Sequence, residues 1–388
     1  MPLFAMPTAP PAQKQTADAP ARRRARFHTL EVQDVRPLTD DAVEVTFAVP
    51  ADLVDEYDYT SGQYVALRTH LDGAEIRRSY SLCRAPQRPA DGGDTTLSVG
   101  IKRDEGGAFS TWAQTELKPG FSIDVMSPQG TFTSALPAFD DKHVVGIAAG
   151  SGITPLMALA HTVLAESPTA RFTLLYTNRA TSDVMFLEDL AELKDRYPTR
   201  LALHHVLSRE QRTAPVLSGR LDEEKLRLIF DKLVPVASVD EWFLCGPFAL
   251  VDLAREILGD LGVPREHIRF ELFTTGDAPA EARAARPVVV AKDAPSYRIE
   301  VTLDGVSSTV ESPIDAHESV LNAALRIRPD APFACAGGVC GTCRARVLVG
   351  SVTMTENYAL EPDELERGYV LTCQSHPTSD RLVVDYDV

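Results

Sequence analysis

Residues 144–155, VVGIAAGSGITP, decide how the chain is to be read. The first six are apolar or small without interruption, the pattern of a strand buried on both faces. Gly150, Ser151 and Gly152 break the run, and a helical stretch over 155–166 follows, with Pro155 suited to a first helical turn. A strand that passes through G-x-G-x-T-P into a helix lets backbone approach a pyrophosphate at a helix N-terminus. Gly150, Ser151, Gly152, Thr154 and Pro155 are therefore candidate dinucleotide-binding residues. The spacing departs from G-x-G-x-x-G, so this is not the usual dehydrogenase fingerprint.

Downstream the same rhythm continues. Compact apolar segments at 172–176, 201–207, 241–244 and 268–273 alternate with helical stretches at 186–196, 222–232 and 249–258. Such alternation predicts a parallel sheet covered by helices on both faces, with ligands at the carboxyl ends of its strands. Ser208 and Arg209 follow one such end. A fixed cation and a hydroxyl there complement a 2'-phosphate, with a solvated loop as the plain alternative. Cys245, Gly246 and Pro247 end another strand, where a buried cysteine is commonly a small core residue.

Upstream, from about 27 to 137, the segments are short and alternating: 42–49, 63–68, 95–101 and 122–125, separated by turn signals at 71–73 and 91–93. That predicts an antiparallel β-barrel. Within it Arg78, Ser79, Tyr80 and Ser81 spell R-x-Y-S on a candidate strand, where Arg78 and Tyr80 share one face. A guanidinium can grip a phosphate while a phenol ring covers an aromatic cofactor. Gly100, Ile101 and Lys102 come next. Then Gly106 and Gly107 precede Ala108, Phe109, Ser110 and a helical stretch at 111–117, whose first amides could receive a diphosphate. The plain alternative is a glycine turn capped by Ser110.

Residues 275–295 repeat Ala, Pro, Asp and Arg without periodicity and read as an interdomain linker. A third unit, 296–388, opens with a hairpin around Asp304-Gly305 and a helix over 319–326. In it Cys335, Cys340 and Cys343 form C-x4-C-x2-C, with Cys373 beyond. Four thiolates at this spacing suit a [2Fe-2S] cluster; a zinc site would more usually show paired C-x2-C knuckles, of which only Cys340 and Cys343 make one. Glycines 337, 338 and 341 lie among them and can turn N–H groups toward sulfur.

The formal charge of -16 disfavours nucleic acid as a partner. Residues 297–388 hold 14 Asp and Glu against seven Arg and no Lys, a surface that could steer a basic protein partner or be merely solvated. No apolar run is long enough to cross a bilayer, so a soluble protein without a membrane partner is expected. Residues 1–26 are Pro- and Ala-rich with three consecutive arginines, and read as a disordered tail rather than a secretion signal. Thiolate ligands call for a reducing compartment, hence a cytoplasmic location.

Taken in order, R-x-Y-S, G-I-K, G-G-x-x-S, G-x-G-x-T-P, S-R-E-Q and C-G-P resemble the ferredoxin-NADP reductase superfamily, and 297–388 resembles plant-type ferredoxin domains. The resemblance implies three modules over 27–388: an FAD-binding antiparallel β-barrel at 27–137, an NADPH-binding α/β domain at 138–274 and an α+β (β-grasp) ferredoxin domain at 296–388. It implies that Arg78, Tyr80 and Ser81 meet the phosphate and flavin and that the Gly107, Ala108, Phe109 and Ser110 loop meets the diphosphate, favouring FAD over FMN. It also implies that Ser208 and Arg209 select NADPH over NADH. Cys245, Tyr80, Ser81 and Glu271 would surround the hydride-transfer point, with Phe273 close by. The module order resembles reductase components of multicomponent oxygenases. Stretches such as 358–365 and 368–373 resemble the reductase subunits of phenylacetyl-CoA epoxidases, which implies a diiron oxygenase complex of phenylacetate catabolism as partner. Another acceptor, such as a ring hydroxylase or a hybrid-cluster protein, remains open, as does a noncatalytic electron carrier or a zinc-stapled interaction protein.

Overall fold

A computed structural model of the chain describes residues 25–71, 73–87, 93–273, 295–328, 331–333, 337–360 and 362–388. The tail expected at 1–26 and the linker expected at 275–295 fall almost wholly outside these residues, as do parts of both turns expected at 71–73 and 91–93. Two compact units result, 26–273 and 295–388.

The first unit begins with six antiparallel strands: β1 (Phe27–Thr39), β2 (Ala42–Val49), β3 (Tyr64–Leu71), β4 (Ala74–Ser81), β5 (Thr95–Lys102) and, after helix α1 (Ala108–Thr115), β6 (Ser122–Met126). Their order is β4-β3-β6-β1-β2-β5, and a bridge between Leu82 and Val99 joins the two ends into a barrel. On β2 the alternation is legible: Val45, Phe47 and Val49 fill the barrel core, while Glu44 points the other way. Glu44 is nevertheless only 4% exposed, because a second layer covers that face.

That layer is the parallel sheet of β7 (His143–Ala149), β8 (Arg171–Asn178), β9 (Leu201–Leu207), β10 (Glu241–Gly246) and β11 (Ile268–Leu272), interleaved with α2 (Ile153–Glu166), α3 (Leu187–Arg196), α4 (Glu223–Lys232) and α5 (Phe248–Asp260). Its order is β11-β10-β7-β8-β9, all parallel. β10 is buried along its whole length, which is why 241–244 shows no alternation. Barrel residues Ala42, Cys83 and Phe132 pack into this domain's core, and buried Glu241 accepts hydrogen bonds from Ser134 Oγ and Ala135 N, pinning the connection from the barrel.

The second unit holds β12 (Ser296–Leu303), β13 (Val306–Pro313), α6 (Val320–Leu325), β14 (Arg344–Val349), β15 (Val352–Met354), α7 (Pro362–Glu366), β16 (Tyr369–Leu371), β17 (Ser375–Pro377) and β18 (Arg381–Asp385). A mixed sheet of order β13-β12-β18-β14-β16 packs against α6, and β15 pairs with β17. The hairpin turn is at Asp304-Gly305, both in left-handed backbone.

Every expected helix start is displaced by one to three residues, most at α1 and at α2, which begins at Ile153 rather than 155. α1 begins at Ala108, three residues early, and Ser110 Oγ accepts a hydrogen bond from Asp104 N rather than capping from outside. α3 begins at Leu187 because Phe186 adopts φ 59°, ψ 29°, outside the helical region.

Candidate cofactor sites

The parallel sheet reverses its winding between β7 and β10, since β8 and β9 lie to one side and β11 to the other. A crevice opens there at the strands' carboxyl ends. From β7 it receives Gly150-Ser151-Gly152. Gly152 sits so close to β10 that an added Cβ would lie 2.2 Å from the Cys245 carbonyl oxygen, so no larger residue fits. Tyr176, fully buried on β8, donates its hydroxyl to Gly150 O at 2.9 Å. Thr154 Oγ1 donates to Ser151 O at 3.0 Å; Thr154 and Pro155 are themselves buried, so their side chains shape the loop from behind.

β10 brings Cys245, 1% exposed, into register with Glu271 on β11. Burial pushes the Cys245 thiol well above its ordinary value, and the Glu271 charge adds to this. It remains a protonated, compact thiol at neutral pH, fit for packing rather than attack. Glu271 Oε2 accepts from Ser81 Oγ, across from the barrel, at 2.8 Å. Three of the four residues expected around hydride transfer thus meet where barrel and sheet join. Gly246 and Pro247 lead from there into α5, and half-buried Phe273 packs on the parallel-sheet core.

Tyr80, the fourth, lies on β4 with its ring centroid 5.7 Å from that of Phe109. Burial raises its phenol, which stays neutral. Arg78 on the same face donates from Nη1 to Arg77 O at 2.6 Å. Ser79 Oγ is buried with no hydrogen-bond partner among the described residues. The first hydrogen bond inside α1 runs from Thr111 N to Gly107 O, so the amides of Ala108, Phe109 and Ser110 have no intrahelical acceptor and can face an anion. Phe109 and Ile101 belong to the barrel core and offer only backbone. Lys102 Nζ is held by Asp41 at 2.6 Å, which commits its charge within the protein. An arginine and a helix start beside an aromatic side chain are a donor set that fits a flavin dinucleotide.

At the carboxyl ends of β8 and β9, Ser208 N donates to Asn178 O and Arg209 N to Arg179 O, stitching two loops together. Arg209 is exposed. Glu210 accepts from both Thr181 N and Thr181 Oγ1 at 2.7 Å, and those bonds hold its carboxyl below the usual range.

In the second unit Cys343 and Cys373 are buried side by side, and Cys340 is half-buried with its sulfur 3.1 Å from Thr342 Oγ1. Cys335 lies outside the described residues, and among those described no three His, Cys, Asp or Glu converge closely enough to hold a metal ion. The neighbouring Cys373 pushes the Cys343 thiol up, and burial pushes it further. Two buried sulfurs so placed gain most from a positive centre that accepts both as thiolates, the donor chemistry of an iron–sulfur cluster. Gly338 and Gly341 take φ of 78° and 66° in this loop. Thr372 donates through N and Oγ1 to Cys343 O, and Tyr386 in turn donates to Thr372 Oγ1 at 2.8 Å.

Sequence reasoning missed Tyr176, Thr372 and Tyr386. A tyrosine late in an aliphatic strand is the one signal that could have marked Tyr176.

Three domain families match in the same order. Residues 29–134 match the oxidoreductase FAD-binding domain, 147–256 the oxidoreductase NAD-binding domain and 301–378 the 2Fe-2S iron-sulfur cluster binding domain. The chain is 43% identical over 361 residues to one subunit of the 1,2-phenylacetyl-CoA epoxidase of Escherichia coli (strain K12), covering 93% of this chain and 98% of that one. It is 35% identical over 366 residues to the ferredoxin reductase component of 3-ketosteroid-9-alpha-monooxygenase of Mycolicibacterium smegmatis, with 93% and 98% covered. Among solved structures, phthalate dioxygenase reductase has the same fold, with a TM-score of 0.57 at 22% identity over 92% of this chain and 98% of that one. No helix among the described residues is long and apolar enough to cross a membrane.

Proposed function

The chain belongs to the ferredoxin-NADP reductase superfamily, in the branch with a C-terminal 2Fe-2S ferredoxin domain, and on that premise we propose that it carries electrons from NADPH to the oxygenase component of a phenylacetyl-CoA epoxidase. It is an NAD(P)H-dependent oxidoreductase with FAD, pyridine-nucleotide and [2Fe-2S] domains, and its relatives serve multicomponent oxygenases. The observation that carries the reading is the meeting of Ser81, Glu271 and Cys245 between barrel and sheet.

Bound FAD would supply the exchange between the nicotinamide's electron pair and the single electrons a cluster accepts. The chain's own work is to bind and orient. Arg78 and the first amides of α1 hold phosphate, Tyr80 covers the flavin ring, and Cys245 gives the nicotinamide a dry, flat wall. Ser81 donates its hydroxyl hydrogen bond to Glu271, fixing that carboxylate's position. Ser208 and Arg209 select the 2'-phosphate, Cys335, Cys340, Cys343 and Cys373 ligate the cluster, and the module limits are those read from the sequence. The 43% identity to a component of an epoxidase, set beside 35% to a ketosteroid monooxygenase component, favours the epoxidase as partner.

Anaerobic addition of NADPH to the fully loaded protein is expected to bleach flavin and iron–sulfur absorption together. A sample that stays oxidised with both NADPH and NADH overturns the reading. Copurification should return the subunits of a diiron oxygenase; recovery of a ring hydroxylase or hybrid-cluster protein would reassign the partner.

A further inference from the structure

Glu44 is a charged residue on the outer face of a barrel strand, yet it is buried, and the side chains around it make an arrangement separate from the residues assigned above to the cofactors. Arg36, its cross-strand partner on β1, donates from Nη2 to Glu44 Oε2 at 2.7 Å; Arg84, just beyond β4, donates to the same oxygen at 2.6 Å. Both guanidiniums also reach across to α3 of the parallel-sheet domain. Arg36 Nη2 lies 2.9 Å from Asp189 Oδ2, and Arg84 Nη1 lies 2.8 Å from Asp189 Oδ1. Two arginines are thus held between one carboxylate from each domain.

Burial by itself would raise both carboxyls. The paired guanidiniums overcome this and hold Glu44 and Asp189 below the ordinary carboxylate range, so the four charges persist at neutral pH. Removing one member leaves an uncompensated buried charge.

The segment that delivers Asp189 is itself unusual. Phe186 is a non-glycine residue in left-handed backbone, a costly conformation kept only where the surroundings enforce it. It is buried beneath Arg84, whose guanidinium carbon lies 5.6 Å from the ring centroid. Met185 and Phe186 press on Gly100 of β5, where an added Cβ would lie 3.2 Å and 3.4 Å from their side chains and 2.6 Å from Thr154 Cγ2. The clamp and this strut therefore converge on the contact between the strand beside the flavin site and the loop of the nucleotide site.

We propose that the Arg36–Glu44–Arg84–Asp189 clamp, with the Phe186 strut, is a positioning device that sets the angle between the two domains and thereby the distance of hydride transfer. None of these residues is among those assigned above to the flavin or the nucleotide. The inference rests on hydride passing between the two domains, whichever nucleotide donates it.

The test uses the full-length, cofactor-loaded protein with Asp189→Asn, which keeps the shape and removes one charge. Anaerobic stopped-flow bleaching of the flavin at saturating nucleotide is expected to slow roughly tenfold, on the scale that small misplacements of reacting groups cost. The nucleotide concentration for half-saturation and the FAD content should stay at wild-type levels, and the primary isotope effect with deuterated nucleotide should rise as hydride transfer becomes rate-limiting. Asp189→Glu should recover most of the rate. A limiting rate equal to wild type overturns the proposal, as does a loss that follows lost FAD in proportion, which marks the clamp as purely structural. Wild-type protein that is not bleached under the same conditions would indict the proposed function instead.

Discussion

Cys245 and Cys343 are both buried sulfurs whose protons are held tightly, for different reasons. Around Cys245 the cause is an apolar strand end first and one carboxylate second. Around Cys343 the leading cause is another sulfur. The first environment keeps a thiol as it is. The second is relieved when a metal centre takes the place of the protons. The cause of a shifted proton affinity, more than its size, separates a wall of a binding site from a set of ligands.

The largest expected effect follows from that contrast. Cys373→Ser should abolish iron–sulfur absorption and electron delivery to an acceptor while flavin bleaching by nucleotide stays within about twofold of wild type. Loss of both activities would erase the distinction between the two sites. On the other side, Cys245→Ala should leave the cluster spectrum intact and slow flavin reduction roughly 100-fold, the scale of a misplaced near-attack geometry. Stopped-flow absorbance reads both, and an unchanged rate would return Cys245 to the ordinary core.

A smaller effect is expected for Arg209→Ala. Losing a charge-assisted bond of about 1.5–3 kcal/mol should raise the KM for NADPH at least tenfold, with little change for NADH. Equal rises for both nucleotides would remove Arg209 from the 2'-phosphate. The smallest concerns acid. Glu44 and Asp189 have carboxyls depressed in the folded state, so their contribution is complete at neutral pH and disappears as pH falls below the ordinary values of 4.5 and 3.8 toward the lower folded ones. The melting temperature of the wild type should therefore fall more steeply below about pH 4.5 than that of Asp189→Asn.

The sequence carried the α/β layer well, because strands buried on both faces cannot alternate and 144–149 and 241–244 do not. It also carried the loops where glycine is obligatory, Gly150 to Gly152 above all. What escaped was whatever depends on two distant segments meeting. Nothing in the local pattern of α3 distinguishes Asp189, an acidic residue in a helix's first turn, from its neighbour Glu188, and only the fold sets it against Arg36, 153 residues earlier. Short strands such as β15 and β17, three residues each, had too few positions to show a period. Lys102 and Phe109 were chosen by motif, and the structure gives the charge of one to Asp41 and the ring of the other to the core.

Phe186 has a bearing on how this enzyme would respond to improvement for heat tolerance alone. Glycine or asparagine accepts its left-handed backbone at lower conformational cost. A screen that rewarded survival without turnover would nevertheless reject that substitution, because emptying a fully buried phenyl site costs about 3–5 kcal/mol, more than the about 1–2 kcal/mol the relaxed backbone returns, so heat tolerance and the seat of domain alignment are selected together here.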